Sequence, residues 1–538
     1  MGTLRKSIAL LPAEQLLREL VLDCAQHFPG LEIWVAGGWV RDRLLGIPSS
    51  DLDLALSKVT GREFGKVLQS FTAVPENEAR YREKAAELGI PDVKFTRFHI
   101  MEKNVDKAKH LETAGGRLFG LDVDLVNLRK EVYDGHSRTP EMDFGTPEED
   151  AFRRDATVNS LLFHFKKQEV VDLTGKGLED LEARIMRTPL DPYQTFMDDP
   201  LRVLRLIRIG SKLSFTIDPA AMRCMRDERI QQALNTKITR ERVGIEVFKM
   251  MQGPHPTVAF QHIFEANLYS PVFVRLDSPL VQELQAAFPH EYQSALQSWP
   301  TTWPRAHRLL SRLLEHVGNI GKLVQSDPHV EHLWAMAAFA PFAVLRQEMP
   351  RQAVEEAAVA LRAPNRLSKL LDSALKNFDS ILTIVSATAS KTQRLPTRSA
   401  VGMAIRSWGA TWTTQATYVM LASVVCDSEK ASPSGSYSKD SSVDDSLEKS
   451  ILAEYSAFAD FVADNDLAGA HLQRPLLDGK QIQKLFGLQK GGKYLKTALD
   501  DLVAWQFDHA GGGIEEAKAW LLGRRGSLGI PADDASRS

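Results

Sequence analysis

VAGGWVRDRLLGIPSSDLDLALS, residues 35–57, is the stretch that decides the fold of this chain. Its start belongs to an apolar run over residues 33–36, which predicts a short buried strand. The strand ends at Gly37 and Gly38, where the backbone can turn tightly and approach a ligand because no Cβ is in the way. A helical turn is predicted over residues 39–45.

The segment DLDLAL, residues 51–56, alternates polar and apolar side chains as a half-buried strand does. Asp51 and Asp53 then share one face, and the leucines face the core. Adjacent carboxylates repel each other unless a cation lies between them, and Mg²⁺ takes carboxylate oxygens while keeping places for substrate phosphates. Arg41 and the glycine turn add an anion-binding surface. The pattern favours two-metal phosphoryl transfer from a nucleoside triphosphate over two solvated aspartates after an ordinary turn.

The composition indicates a soluble globular protein of ~3–4 domains, since the chain has 538 residues, 43% of them hydrophobic. The net charge is −3, so a basic surface for nucleic acid has to be local. Cys24, Cys224 and Cys426 are far apart, which argues against a zinc site or disulfides and for a reducing compartment. No apolar run approaches the ~20 residues of a membrane span, and no targeting segment is evident.

Residues 61–135 are expected to form further strands and a loop. The segments 93–100 and 121–128 alternate as strands do, and the charged segment 101–120 between them predicts a mobile excursion from the sheet. Asp122 and Asp124 share a face of the second strand, so one of them could be a third carboxylate of the metal site. Solvated strand aspartates are an equal alternative.

Two arginine-rich segments follow. Arg153, Arg154 and Asp155, with Asn159 four residues later, are typical of a helix start where arginine reaches a triphosphate or ribose, although such a run is more often a solvated face. Further on, one predicted helix carries charged side chains at every third position: Asp199, Arg202, Arg205 and Arg208. Residues 184–242 hold 10 Arg and 2 Lys against 7 Asp and Glu, a local net charge of +5.

Five motifs, in this order, resemble the class II tRNA nucleotidyltransferases, the CCA-adding enzymes of the polymerase-β nucleotidyltransferase superfamily. They are GGxVRDxLLG…DxD (37–53), RRDxxxN (153–159), DxxGxGxxDL (172–181), DDPLRVLRxxR (198–208) and TRERVGIE (239–246). Residues 110–133 and 476–521 resemble the fungal members. The fourth motif, DDPLRVLRxxR, departs slightly from the family pattern, because it begins with Asp198-Asp199 where many relatives have Glu-Asp.

The resemblance implies an α+β fold, with a mixed-sheet nucleotidyltransferase head followed by an all-α neck, body and tail. The expected divisions are a catalytic head (1–185), a neck with the base pocket (186–270), a helical body (271–426), a Ser-rich linker or loop (427–447) and a tRNA-binding tail (448–538). Three body tryptophans are expected in the core rather than as RNA-stacking platforms: Trp299, Trp303 and Trp334.

The resemblance also implies residue roles. Asp51 and Asp53 would hold two Mg²⁺ ions, one lowering the pKa of the RNA 3′-hydroxyl and one binding the triphosphate, with Asp124 the better candidate for a third carboxylate. Gly38 and Arg41 would touch the phosphates, Arg154 would contact the nucleotide, and Asn159 would support the sugar. Asp199 and Arg202 would read the base. Arg205 and Arg208 would line the same base pocket. In the tail, tRNA phosphates would be held by lysines: Lys480, Lys484, Lys490, Lys493 and Lys496.

The base-reading role follows from hydrogen-bond chemistry. Cytosine and adenine both place an amino donor beside an unprotonated ring nitrogen, whereas uracil and guanine place a carbonyl beside an N–H. A carboxylate only accepts and a guanidinium only donates, so an Asp/Arg pair fits C and A and mismatches U and G at ~1–3 kcal/mol per unsatisfied group. This pairing explains neither the order in which C, C and A are added nor why addition stops after three nucleotides. The segments 101–120 and 172–181 are the candidates for the switch that controls this order, because of their glycines and their position.

The expected activity is addition of CCA to immature or damaged tRNA 3′ ends from CTP and ATP, with no membrane and no obligate protein partner. The expected location is the cytoplasm and nucleus. The family resemblance adds the mitochondrion as a further expected location. A partial CC-adding or A-adding enzyme, a bacterial-type poly(A) polymerase and a catalytically silent RNA-binding relative are the alternatives. A dinucleotide-binding oxidoreductase is disfavoured because GxGxxG is absent.

Overall fold

The computed structural model describes most of the chain, as two compact units, Met1–Pro271 and Val272–Ser538. The described residues are 7–90, 99–101, 113–132, 141–275, 278–287, 291–390, 395–431, 441–488, 490, 492 and 494–530. The first unit holds the described strands, and the second is built from helices, so the α+β class with a mixed-sheet head is confirmed. None of the described helices is long and apolar enough to span a membrane.

The strands form one large sheet and two small ones. They are β1 (Ile33–Ala36), β2 (Asp51–Leu56), β3 (His99–Met101), β4 (Thr113–Leu118), β5 (Leu121–Asn127), β6 (Arg129–Val132), β7 (Glu141–Phe144), β8 (Leu162–His164), β9 (Glu169–Val171), β10 (Ile185–Met186) and β11 (Thr216–Ile217). The large sheet has the order β3-β4-β5-β2-β1-β8-β9. Its β2–β5 pair is parallel and its other neighbours are antiparallel.

The predicted strands over 33–36, 51–56 and 121–128 are confirmed. In β2 the three leucines are fully buried while Asp51 is exposed, as the alternation requires. The expected loop over 101–120 is wrong where it is described, because residues 113–118 form β4, paired in register with β5. Residues 102–112 of that loop, and residues 93–98 of the strand expected before it, lie outside the described residues.

The helices of the first unit begin before its first strand, lie between its strands in the chain and continue beyond the last strand. They are α1 (Pro12–Ala25), α2 (Gly38–Leu44), α3 (Gly61–Thr72), α4 (Pro75–Glu87), α5 (Pro147–Phe152), α6 (Gly177–Ala183), α7 (Pro192–Asp198), α8 (Leu201–Leu213), α9 (Pro219–Met225), α10 (Glu228–Lys237), α11 (Arg240–Met251) and α12 (Pro256–Glu265), followed at the unit boundary by α13 (Tyr269–Phe273). Helices α3 and α4 replace expected strands. Thr60 and Glu63 form a capping box that starts α3, and Phe64 and Leu68 bury one helical face.

The second unit continues with helices only, in its described residues. They are α14 (Pro279–Ala287), α15 (Glu291–Thr302), α16 (Pro304–Glu315), α17 (Asn319–Gln325), α18 (Val330–Ala338), α19 (Pro350–Leu361), α20 (Asn365–Ala389), α21 (Arg398–Trp408), α22 (Trp412–Ala431), α23 (Ser441–Asp464), α24 (Gly479–Leu485), α25 (Tyr494–Asp508) and α26 (Ile514–Gly523). Trp299, Trp303 and Trp334 are buried, as predicted.

The predicted linker over 427–447 is wrong at both of its ends. Residues 427–431 belong to α22 and residues 441–447 begin α23, so the chain is helical there. Both ends extend long helices, and serine and aspartate at a helix start cost little because they suit its first turn. Residues 432–440 lie outside the described residues. The finer division into head, neck, body and tail stays a prediction.

Candidate active site

Four aspartates of β2 and β5 lie on one face of the sheet. The parallel register of β2 and β5 sets Asp53 beside Asp124, and Asp51 beside Asp122. Asp53 is partly buried, whereas Asp51 and Asp124 are exposed. Burial, followed by the charge of Asp51, raises the pKa of Asp53 to about 6; Asp124 raises it further, and Arg154 and Arg129 only partly offset these effects. Asp53 is therefore harder to ionise than an ordinary carboxylate, chiefly because it is buried, and the neighbouring negative charges add to the effect.

These carboxylates fit an incompletely coordinated Mg²⁺ better than a closed metal cage. Among the residues that the structure describes, no three His, Cys, Asp or Glu side chains come close enough to hold an ion by themselves. Mg²⁺ is usually held by one or two carboxylates together with water and substrate phosphates. Asp51 and Asp53, joined by Asp124 from the neighbouring strand, supply such a partial ligand set.

A glycine turn lies directly against this carboxylate group. Gly37 has φ +76°, a conformation that favours glycine, and it follows β1, where Ala36 pairs with Asp53. A Cβ built on Gly37 would lie 2.9 Å from Oδ2 of Asp53 and 3.7 Å from Nη1 of Arg154. The turn therefore lies between an acidic and a basic side chain and begins α2. Gly37 was predicted only as part of the turn, and Gly38 was the glycine expected to touch the phosphates; the structure places Gly37 nearest to Asp53.

Arg41 lies beneath this turn and is only 5% exposed. Its Nε donates to Oδ1 of Asp42 at 2.8 Å, and its Nη1 donates to Oδ1 of Asn159. A Cβ on Gly38 would lie 3.1 Å from Nη2 of Arg41, so the guanidinium packs behind the glycine turn. In this structure Arg41 binds protein side chains, and its contact with phosphate stays a prediction.

Asn159, which was predicted to support the sugar, is likewise buried in a network. Its Nδ2 donates to Oδ1 of Asp155 at 2.8 Å, and Oδ2 of Asp155 accepts from Nε of Arg205 at 2.7 Å. We call the series Asp42, Arg41, Asn159, Asp155 and Arg205 the polar chain. It connects the helix after the glycine turn with α8, which carries Arg202, one of the two predicted base-reading residues.

Arg154 is held by a residue that the sequence interpretation did not single out. Nη2 and Nε of Arg154 donate to Oδ2 of Asp150 at 2.7 and 3.1 Å. Arg153 donates from Nε to the other carboxylate oxygen, Oδ1, at 2.9 Å. Burial of Asp150 would raise its pKa, but Arg154 and Arg153 outweigh that effect and lower it to about 2. Spacings of three and four residues on a helical segment could have revealed this cluster.

The four residues predicted for the base pocket fall into two groups. Oδ1 of Asp199 accepts from the backbone N–H of Leu201 at 3.3 Å, and its Oδ2 lies 3.8 Å from Nη2 of Arg242. Arg202 is 8% exposed, on the first turn of α8. The other two arginines pair with carboxylates from elsewhere in the fold. Arg205 pairs with Asp155, and Nε of Arg208 lies 2.5 Å from Oε2 of Glu246.

The predicted RNA-binding lysines belong to the second unit, whereas the carboxylates and arginines described above belong to the first. Four of the lysines are exposed: Lys480, Lys484, Lys490 and Lys496. Lys493 lies outside the described residues. The surrounding helices α24, α25 and α26 bury a shared apolar core that includes Ile482, Leu502 and Leu521. This core gives the exposed lysines a folded support.

Comparison with known proteins agrees with these features. Residues 33–187 match the family model described as the poly A polymerase head domain, and residues 214–280 match one described as a probable RNA and SrmB-binding site of polymerase A. The chain is 35% identical to nucleotidyltransferase lcsQ of Purpureocillium lilacinum, over 98% of this chain and 94% of that protein. It is also 35% identical to the mitochondrial CCA tRNA nucleotidyltransferase of Saccharomyces cerevisiae, over 90% and 87% of the two chains.

A solved structure shares the fold. The Thermotoga maritima CCA-adding enzyme complexed with tRNA-CCA is 18% identical in sequence, with a TM-score of 0.56. The match covers 97% of this chain and 99% of that one.

Replacing Asp53 by Asn is expected to stabilise the metal-free protein at neutral pH. The raised pKa of about 6 means that the folded state holds the Asp53 proton more tightly than the unfolded chain does. The resulting cost to stability is absent at about pH 4, grows as the pH rises through 6 and is constant above that. Measured in EDTA, the unfolding temperature of Asp53→Asn should exceed that of the wild type at pH 7.5 and approach it near pH 4.

The matched control for that experiment is Asp122→Asn. Asp122 lies on the same face of the sheet, but it is exposed. An equal gain for both variants, or a gain for Asp53→Asn that does not change with pH, would contradict the crowding of charge at Asp53.

Replacing Gly115 by Ala is expected to slow nucleotidyl transfer by about 10- to 100-fold, because misplacing a reacting group by about 1 Å can cost ~100-fold. Gly115 pairs with Asp124, and a Cβ on it would lie 2.1 Å from Oδ1 of that carboxylate. The side chain of Asp124 would have to move. Gly469→Ala is the control, since nothing lies within 4 Å of its Cβ position. An unchanged rate in Gly115→Ala would remove Asp124 from the site.

Proposed function

This chain belongs to the CCA tRNA nucleotidyltransferase family and is a nucleotidyltransferase, and we propose that it adds C, C and A to the 3′ ends of tRNA from CTP and ATP. The observation that carries the proposal is the β2–β5 register, which gathers Asp51, Asp53 and Asp124 on one face beside the glycine turn. The complex of the Thermotoga relative with tRNA supports the choice of RNA substrate.

In the proposed reaction the 3′-hydroxyl of the tRNA attacks the α-phosphorus of the nucleotide, and pyrophosphate leaves. Asp51 and Asp53 would hold two Mg²⁺ ions, with Asp124 as the third carboxylate. Mg²⁺ bound there would lower the pKa of the hydroxyl and balance the charge on the triphosphate. Arg154 lies across the glycine turn from Asp53, and we assign it to the triphosphate. Backbone N–H groups at the start of α2 complete an anion-binding surface.

Base choice is assigned to Asp199 and Arg202. Nη2 of Arg242 lies 3.8 Å from Oδ2 of Asp199, and a carboxylate in its charged form only accepts hydrogen bonds. Arg202 projects from the first turn of α8, which the polar chain ties to the helix after the glycine turn. The Asp/Arg pair would thus complement C and A at a fixed place relative to the reacting phosphate.

Arg205 and Arg208 enter this proposal as supports for α8. Each is paired with a carboxylate, Asp155 or Glu246, so we assign them to holding the base-reading helix rather than to touching the base.

The exposed lysines of the second unit are proposed to contact tRNA phosphates. The divisions at 185/186, 270/271 and 426/427 are proposed as head, neck and body boundaries, and the tail from 448 as the tRNA-binding part. The mitochondrial relative supports the mitochondrion as one location.

The activity is tested with three tRNA transcripts ending at the discriminator base, at C and at CC, each incubated with Mg²⁺ and one labelled nucleotide. Additions that stop at CCA are expected from the wild type, and the double variant Asp51→Asn/Asp53→Asn should lose at least ~100-fold in rate, as expected for lost transition-state stabilisation. Extension that stops at CC, or that starts only from CC, would indicate a partial enzyme. A long A tail would indicate a poly(A) polymerase, and tRNA binding without incorporation would indicate a silent relative.

Replacing Asp199 by Asn is expected to lower kcat/KM for CTP and ATP by about 10- to 100-fold, because the amide substitutes a donor for one acceptor against the base. UTP and GTP should become relatively better substrates, measured by competition in the same transcripts. The neighbouring Asp198→Asn is the control, since Asp198 accepts from Nε2 of Gln194 on α7. Lost discrimination in Asp198→Asn and not in Asp199→Asn would transfer the base-reading role to Asp198.

A further inference from the structure

Asp150 is a buried carboxylate for which the proposed reaction has no direct use. It lies in the first turn of α5, a short helix that begins with a capping box between Thr146 and Glu149. The side chain is 1% exposed. Its Oδ2 accepts from Arg154, and its Oδ1 accepts from Arg153 and, at 3.4 Å, from the backbone N–H of Arg129. A buried carboxylate is costly unless it is paired, so this arrangement needs both arginines.

The way in which Arg154 binds Asp150 determines what the rest of its guanidinium can do. Nε and Nη2 form one edge of the planar group, and both donate to the same oxygen of Asp150. The remaining nitrogen, Nη1, is directed away from Asp150, and it lies 3.7 Å from the Cβ position of Gly37. Oδ2 of Asp53 lies 2.9 Å from that same position. The free edge of Arg154 thus faces the place where the triphosphate is proposed to bind.

The energetics favour a fixed arginine rather than a mobile one. The Arg154 side chain is 16% exposed, and although burial lowers its pKa, Asp150 and Asp53 raise it more, which keeps the guanidinium charged. An arginine with one edge held in place loses less side-chain entropy when it binds phosphate, and its planar fork suits phosphate oxygens. The substitution Arg154→Lys would keep the positive charge. The single ammonium group of lysine, however, has no second edge to direct at phosphate while the first is bound to Asp150.

We propose that Asp150 is a positioning residue, which directs the Nη1 edge of Arg154 toward the triphosphate between Gly37 and Asp53. The inference rests on the proposed function, since it assigns Arg154 to the nucleotide. Asp150 itself touches no substrate, so its effect on binding has to pass through Arg154. Arg153, bound to the other oxygen of Asp150, has no such role.

A double-mutant cycle tests this coupling. Asp150→Asn and Arg154→Lys are each expected to weaken CTP binding about tenfold, because the phosphate contact of a fixed guanidinium is lost. They should raise KM for CTP more than they lower kcat. The double variant should be little weaker than either single variant, because both changes remove the same contact. In the control cycle, Arg153→Lys should bind CTP as the wild type does, and the double variant Asp150→Asn/Arg153→Lys should bind CTP as Asp150→Asn alone does.

Thermal unfolding of each variant separates binding from folding. If Asp150→Asn does not fold, Arg154→Lys still decides the matter, since lysine preserves the charge opposite Asp150 and should yield a folded protein. Wild-type affinity for CTP in Arg154→Lys would overturn the proposal, as would independent effects of Asp150→Asn and Arg154→Lys. CTP affinity is measured by titration without tRNA, so a wild type that binds CTP but adds nothing to tRNA would refute the proposed function and leave this cycle interpretable.

Discussion

The burial of Asp53 among other aspartates of two parallel strands is the constraint that the arrangement of this site has to meet. The β2–β5 register places Asp53 beside Asp124, and burial and Asp51 already disfavour the charge of Asp53. Positive charge has to be held nearby without neutralising the site completely. Arg154 provides it from a distance set by Asp150, while Gly37 keeps the space between them open. The site is therefore prepared for a cation and a polyanion arriving together.

The sequence predicted the elements whose patterns are local. Strict alternation identified β2 and β5, and the apolar run before the two glycines identified β1, because a period of two residues is visible in one short segment. Helix α3 was not predicted, although Thr60 and Glu63 form the capping box at its start, which is a local signal. Strand β4 was missed because its two glycines suggested a loop, whereas Gly115 is required for the close approach of Asp124.

The side chains of the site were predictable by type and less so by partner. The order of motifs indicated Asp51, Asp53, Arg154 and Asp199 as candidates, and their roles stay proposals. What Arg41 and Arg205 bind could not be read from the sequence, because Asn159 is 118 residues from the first and Asp155 is 50 residues from the second. Such pairs depend on tertiary packing, which no local period records. Asp150 differs, since its partners follow three and four residues later.

The polar chain limits how this sequence can change over time. Arg41 and Asp155 are buried, and each balances the charge or the hydrogen bonds of its neighbours. Loss of one partner from a buried pair costs about 3–5 kcal/mol, a large part of the net stability of a domain. The cost is smaller for the Asp155–Arg205 pair, because the Arg205 side chain is 42% exposed. An exchange of Asp155 in a lineage still disturbs both Asn159 and Arg205, so it is favoured only together with a compensating change. Across diverging relatives these positions should be inherited as a set, and they should vary together where they vary at all.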